Sequence, residues 1–140
     1  NHRYTPAAGL PALREAIAAN PDTRFVLFHG GYPWTEDIAA LAHFFPNVYT
    51  DLCWLPIIST TAAERFLSEM LDVTTAEKLM WGCDTWTPEE SYGALLAMRD
   101  VLSRALAARI ERGLCDLEGA KDLIERILYR NAAALFGIRE

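Results

Sequence analysis

Three short apolar runs, helical patterns between them and turn signals at the junctions predict an α/β fold of parallel strands alternating with helices. Such alternation calls for right-handed strand–helix–strand crossovers, and so for a parallel sheet. A length of 140 residues suits one domain, read here as 1–140. A finished barrel takes about 250 residues, so the chain reads as the back part of a (β/α)8 TIM-type barrel. An open three-layer α/β sandwich is the alternative architecture.

A first helix is expected over residues 11–19, ending at the stop signal Asn20-Pro21. The first strand, Phe25-Val26-Leu27-Phe28, is apolar at every position, as in a strand covered on both faces. Thr35 is expected to cap a helix over 36–45, with Ile38, Leu41 and Phe45 on one face. The second strand follows at Val48-Tyr49-Thr50-Asp51-Leu52. Thr61-Ala62-Ala63-Glu64 has capping-box spacing, in which hydroxyl and carboxylate each satisfy an orphan amide.

The third strand is Leu79-Met80-Trp81. Thr87-Pro88-Glu89-Glu90 repeats the capping device and puts Pro at the first helical position, where its missing N–H costs nothing. That helix should run to about residue 112 before Gly113 ends it, with Leu95, Met98, Leu102 and Leu106 as its apolar stripe. A last helix over 117–129 buries Ala120, Leu123, Ile127 and Leu128, and a short turn over 131–136 closes the chain. There is no internal repeat, low-complexity tract or linker.

Composition excludes several partner classes. A hydrophobic content of 51% can build a real core, and a net charge of -6 without any Lys/Arg cluster argues against nucleic acid. No apolar run approaches the roughly 20 residues of a membrane span. Cys53, Cys83 and Cys115 are odd in number and form no C-x-x-C, as expected of reduced thiols in a cytoplasmic protein. Asn1-His2-Arg3-Tyr4 shows neither an initiator Met nor a signal-peptide layout, so the chain is expected to be cut or processed upstream. Three strands leave two open edges, which predicts a homo-oligomer or association with the remainder of a parent barrel.

In both architectures ligands bind outside the carboxyl ends of the strands. The first strand ends in His29-Gly30-Gly31, where two glycines let the backbone turn sharply and a ligand come close. A core histidine bonded to a carbonyl is the plain structural alternative. The third strand ends in Gly82-Cys83-Asp84. A carboxylate there needs a partner or a cation, and Thr87 relieves Asp84 of capping duty. His29 with Asp84 is therefore a metal or acid/base constellation for a small-molecule substrate. Asp51, at the end of the second strand, is expected to orient a ligand more than to bind directly. Tyr32, Trp34, Trp54 and Trp86 fall in strand-to-helix loops and could wall a pocket for an apolar or aromatic substrate, or simply anchor those loops. Cys53 and Cys83 have no activating partner in sequence and are assigned to packing, and His43 is given no function.

Four segments occur in order: residues 25–34 (FVLFHGGYPW), 46–51 (PNVYTD), 81–84 (WGCD) and 131–137 (NAAALFG). Together they resemble the C-terminal part of the amidohydrolase superfamily, in the branch that includes carboxymuconate-semialdehyde decarboxylase-like enzymes. The resemblance covers nearly the whole chain from residue 11 onward. It implies the C-terminal part of a (β/α)8 barrel, roughly strands six to eight with flanking helices. It further implies that His29 ends strand six as a metal ligand or substrate contact, and that Asp84 ends strand eight as a metal ligand and proton shuttle. The family's other ligands are a His-x-His pair on strand one and a residue on strand five; no His-x-His occurs here, and strand five would lie before or around Asn1.

The implied function is a metal-dependent hydrolase with a divalent ion, zinc by expectation, that activates water to attack an amide, ester or lactone carbonyl. A non-oxidative decarboxylase and a uronate isomerase-like enzyme are the alternatives within the superfamily. A non-catalytic binding remnant is the alternative outside it.

Overall fold

The computed structural model describes residues 6–138, with side chains from residue 9 onward. Asn1, His2, Arg3 and Tyr4, read above as a cut end, lie outside the described residues. The chain runs through α1 (Pro6–Ala19), β1 (Phe25–Leu27), α2 (Thr35–Phe44), β2 (Val48–Asp51), α3 (Leu55–Ile58), α4 (Thr60–Val73), β3 (Leu79–Met80), α5 (Pro88–Glu111), α6 (Leu117–Glu125) and α7 (Asn131–Phe136). Residues Arg126–Arg130 form a wide helical turn that carries α6 into α7 without leaving helical backbone angles. The closing turn expected over 131–136 is thus a continuation of the last helix.

The three strands form one parallel sheet in the order β1-β2-β3. Leu27 pairs with Thr50, and Thr50 with Leu79, so all three strands finish at the same rim. Val48, Leu52 and Leu79 enter one buried cluster with Ile38 and Leu41 of α2, Phe66, Leu67 and Met70 of α4, and Met98, Val101 and Leu102 of α5. Of the stripes read from sequence, Met98, Leu102, Leu106, Ala120 and Ile127 are buried, while Leu95, Leu123 and Leu128 are half-buried.

The first strand departs from expectation. It is shorter than four residues, half-exposed along its length, and has β2 on one side only among the described residues. Phe28 has left the strand and is 58% exposed. An apolar run reports the composition of a strand but not whether a neighbour covers it.

Helix starts show where local chemistry was readable. Thr87 caps α5 by accepting the Glu90 N–H at 3.2 Å, with Pro88 next, as expected. The Glu90 carboxylate reaches back one residue further than the simple box, to the Trp86 N–H at 2.9 Å. Thr61 is not a cap: Ser59 holds that place and accepts the Ala62 N–H at 3.2 Å. Nor is Thr35, which is the first helical residue and is 1% exposed, with Trp34 in the capping position. Both expectations put the cap inside the helix: Ser59-Thr60-Thr61 offers three hydroxyls in a row, and at α2 the residue before Thr35 has no capping side chain to mark the start. Helix α1 also begins upstream of Pro11, which sits within it.

The ends where the strands begin are tied by fixed polar contacts. Asn47 donates to Thr23 O (2.8 Å) and Asn20 O (3.1 Å), Lys78 to Ala42 O and Phe45 O, and Asn131 to Leu79 O (2.7 Å) and Ala76 O (2.6 Å). All but Leu79 O are carbonyls of the helix ends and turns that precede the strands, which the ladder does not satisfy. That end is given to stability, and the opposite rim is left for chemistry. No helix among the described residues is long and apolar enough to cross a membrane.

Candidate metal centre at the strand ends

Three non-glycine residues among those described hold a left-handed backbone, and one follows each strand: His29 (φ 61°), Trp54 (φ 59°) and Asp84 (φ 49°). A side chain in that region costs about 1–2 kcal/mol. Strain repeated at the same rim of three successive strands marks a place where side-chain position outweighs backbone comfort.

Packing explains the first of these turns. His29, Gly30 (φ 58°) and Gly31 (φ 65°) are left-handed in succession, so the chain folds back tightly onto α4 and α2. A Cβ on Gly30 would lie 2.7 Å from the Phe66 ring, and one on Gly31 would lie 2.1 Å from Ile38 Cγ1. Both glycines are needed for space as well as for angle.

Asp51 fastens the turn. Its Oδ1 accepts the backbone N–H of His29 at 2.9 Å and that of Cys53 at 3.0 Å. Asp51 is 6% exposed. Asp51 was expected to orient a ligand, and it touches the His29 main chain here; neither hydrogen bond goes to the imidazole ring.

The ring is held from the other side. His29 Nδ1 lies 3.0 Å from Cys53 O and 3.2 Å from Cys53 Sγ. A carbonyl oxygen only accepts, so the hydrogen bond requires the proton on Nδ1, and in the neutral ring Nε2 then has the lone pair. Nε2 points to Asp84, whose Oδ2 is 3.8 Å away, with side chains 37% and 59% exposed. That separation is too long for a hydrogen bond. It is close to the about 3.4 Å between two ligand atoms each 2.0–2.2 Å from a tetrahedral zinc. A proton on Nδ1 held by a carbonyl, with Nε2 free, is the usual arrangement of a metal-ligating imidazole.

Cys53, assigned to packing from the sequence, is buried as that reading expects, and it also lies beside the pair. It is 2% exposed, yet His29, Cys53 and Asp84 each offer a donor atom within 4.8 Å of the other two. Burial first, then the hydrogen bond and charge of Asp51, push its thiol well above the ordinary thiol range. The signal was its place two residues after Asp51, hence on the same side of the chain. Cys83, also assigned to packing, is half-exposed, and hydrogen bonds with Thr85 and Ser91 pull its thiol down.

The four aromatic candidates separate. The Trp54 ring is tilted 48° against His29 at a centroid distance of 6.0 Å. It also lines a groove of about 320 Å³ with Ile57, Ile58, Thr85, Glu90 and Ala94. Tyr32 is 42% exposed and Trp34 half-buried, and neither lines that groove. Trp86 is 91% exposed and does not line that groove. His43, given no function, bonds Val73 O through Nδ1 and ties α2 to α4.

The chain is similar to known proteins over most of its length. The amidohydrolase family profile matches residues 2–138. Protein fluG of Emericella nidulans is 33% identical over 130 residues, which are 91% of this chain and 15% of that protein. The uronate isomerase of Thermotoga neapolitana is 31% identical over 100 residues, 71% of this chain and 22% of that enzyme. A crystal structure of a protein from Lactobacillus casei assigned as a metal-dependent hydrolase superposes with a TM-score of 0.76 at 26% identity, over 94% of this chain and 36% of that one. The chain therefore spans less than a quarter of the length of these two curated relatives.

Proposed function

From the premise that the chain belongs to the amidohydrolase family, we propose that it carries part of the active site of a metal-dependent hydrolase. The observation behind this reading is the His29 Nε2–Asp84 Oδ2 pair at 3.8 Å on the strand rim. The metal-dependent assignment of the Lactobacillus casei relative supports it. His29, through Nε2, and Asp84 would hold a divalent ion, for which zinc suits the nitrogen and oxygen donors. Such an ion supplies Lewis-acid polarisation of a carbonyl and acidifies water toward neutrality.

The chain's own residues do the rest. Asp84, 59% exposed on its side chain, takes the proton of the attacking water and delivers it to the leaving group. With Nδ1–H committed to Cys53 O, His29 acts as a ligand instead of donating to a substrate oxygen. Trp54 and the groove beside it take an apolar or aromatic portion of a small amide, ester or lactone. Association with a second copy, or with further strands of a barrel, would cover the open edge of β1.

One observation favours a second reading. The 31% identity to a uronate isomerase supports aldose–ketose interconversion, in which Asp84 would move a proton between carbon and oxygen. A non-oxidative decarboxylase, as in the carboxymuconate-semialdehyde decarboxylase-like branch, would use the same carboxylate to protonate carbon.

The test is metal content and turnover of the native protein and its Asp84→Asn variant on ester, lactone and uronate panels. Loss of about 10²–10⁴-fold in kcat/KM on a hydrolysable substrate supports the hydrolase. Turnover confined to uronates moves the assignment to an isomerase. Full activity in Asp84→Asn removes Asp84 from the mechanism, and metal without turnover points to a binding remnant.

A further inference from the structure

We propose that Cys53 is a third metal ligand, so that the ends of three adjacent strands in this chain form a His–Cys–Asp site for a thiophilic divalent cation. This rests on the metal-dependent reading above and adds a donor that reading does not use.

The geometry allows it. Three atoms no more than 4.8 Å apart all lie within about 2.8 Å of one common point. Movements of about 0.5–0.8 Å by exposed Asp84 and half-exposed His29 then bring an ion to the about 2.0–2.3 Å of Zn–N, Zn–O and Zn–S bonds.

The scaffold prepares it. One donor follows each of β1, β2 and β3, whose register aligns their ends. Asp51 Oδ1 holds the backbone N–H groups of both His29 and Cys53 (2.9 and 3.0 Å), which fixes two donors relative to each other. Three protein ligands are the usual number for a catalytic zinc, leaving a fourth position for water or substrate.

A sulfur donor also decides which ions bind. A thiolate selects zinc, cadmium or cobalt(II) over magnesium, calcium and manganese, which prefer oxygen. On binding, the S–metal bond forms as the Cys53 S–H bond breaks, and one proton passes to solvent for each ion bound.

The experiment is titration of the metal-stripped native protein with Co²⁺, followed by visible and near-ultraviolet absorbance. The expected result is one ion with d–d bands and a thiolate-to-cobalt charge-transfer band, together with release of a proton. Cys53→Ser should lose the charge-transfer band and weaken binding by more than about tenfold, with its circular dichroism unchanged. Cys83→Ser should keep the band. Binding without a charge-transfer band, lost in Asp84→Asn, overturns Cys53 as a ligand and leaves the hydrolase reading intact; Cys53 then only steadies the imidazole. A band that survives in Cys53→Ser overturns the proposal equally. No Co²⁺ binding overturns both.

Discussion

Asp51 accepts the backbone N–H of His29 at 2.9 Å through the same oxygen that accepts Cys53 N–H. One buried carboxylate therefore joins the exits of β1 and β2. Asp51→Ala leaves two amide donors without partners, at about 1–3 kcal/mol each. The expected loss is about 3 kcal/mol in urea unfolding, and Asp51→Asn, which keeps an acceptor oxygen, should lose less than half of that. Equal stability of Asp51→Ala and wild type would remove Asp51 from this role.

The turn after His29 depends on Gly31. A Cβ there meets Ile38 Cγ1 at 2.1 Å on a backbone of φ 65°. Left-handed strain of about 1–2 kcal/mol adds to overpacking of about 1–3 kcal/mol. Gly31→Ala should therefore destabilise by about 2–5 kcal/mol. In the Ile38→Ala background the penalty should fall to the backbone part alone. A penalty unchanged by Ile38→Ala would mean that the steric account is wrong.

Two tryptophans that read alike in sequence should behave differently. Trp54 stands beside His29 and lines the groove, whereas Trp86 is 91% exposed. Trp54→Ala should raise KM for substrates with an apolar group while changing kcat little, the mark of lost uniform binding. Trp86→Ala should leave both constants as they are. Steady-state kinetics on one substrate series decides, and a larger effect at Trp86 would place the substrate elsewhere.

Acid should loosen the last helix. Hydrogen bonds from Arg126 (2.5 Å) and then Arg130 hold the Asp122 carboxyl below its ordinary 3.8. Arg126 also reaches Glu77 at 2.8 Å, which ties the wide turn after α6 to the turn before β3. A depressed carboxylate pKa stabilises the fold above 3.8, and this contribution is lost as pH falls through the lower folded value. Asp122→Asn should thus be less stable than wild type near neutrality and should approach it in more acid solution. Urea midpoints across that range measure this, and a stability gap that stays constant would exclude Asp122 as its source.

Much of the candidate site was legible because strand ends can be read from composition. Apolar runs followed by His29-Gly30-Gly31 and by Gly82-Cys83-Asp84 located two rim residues, and Thr87-Pro88 freed Asp84 from capping. Cys53 was read as packing because no partner for its thiol stands beside it along the chain; the thiol lies 3.2 Å from the imidazole of His29, 24 residues away. Ser59 and Trp34 displaced Thr61 and Thr35 at the helix starts because capping is settled by backbone angles, which residue type does not reveal: Ser59, Thr60 and Thr61 are alike in sequence, and Trp34 has no capping side chain at all.

Sequence by itself determined the alternation of strands and helices, the core faces of α2 and α5, and the pairing of His29 with Asp84 on one rim. These follow from periodicity and from the rule that parallel strands end together. Only the tertiary structure decided that His29, Trp54 and Asp84 share a left-handed backbone, that Asp51 grips main chain, and that Cys53 completes the donor cluster. These depend on strand register and on how tightly Gly30 and Gly31 let the chain close over Phe66 and Ile38. Such contacts join residues far apart in sequence, and only packing brings them within reach.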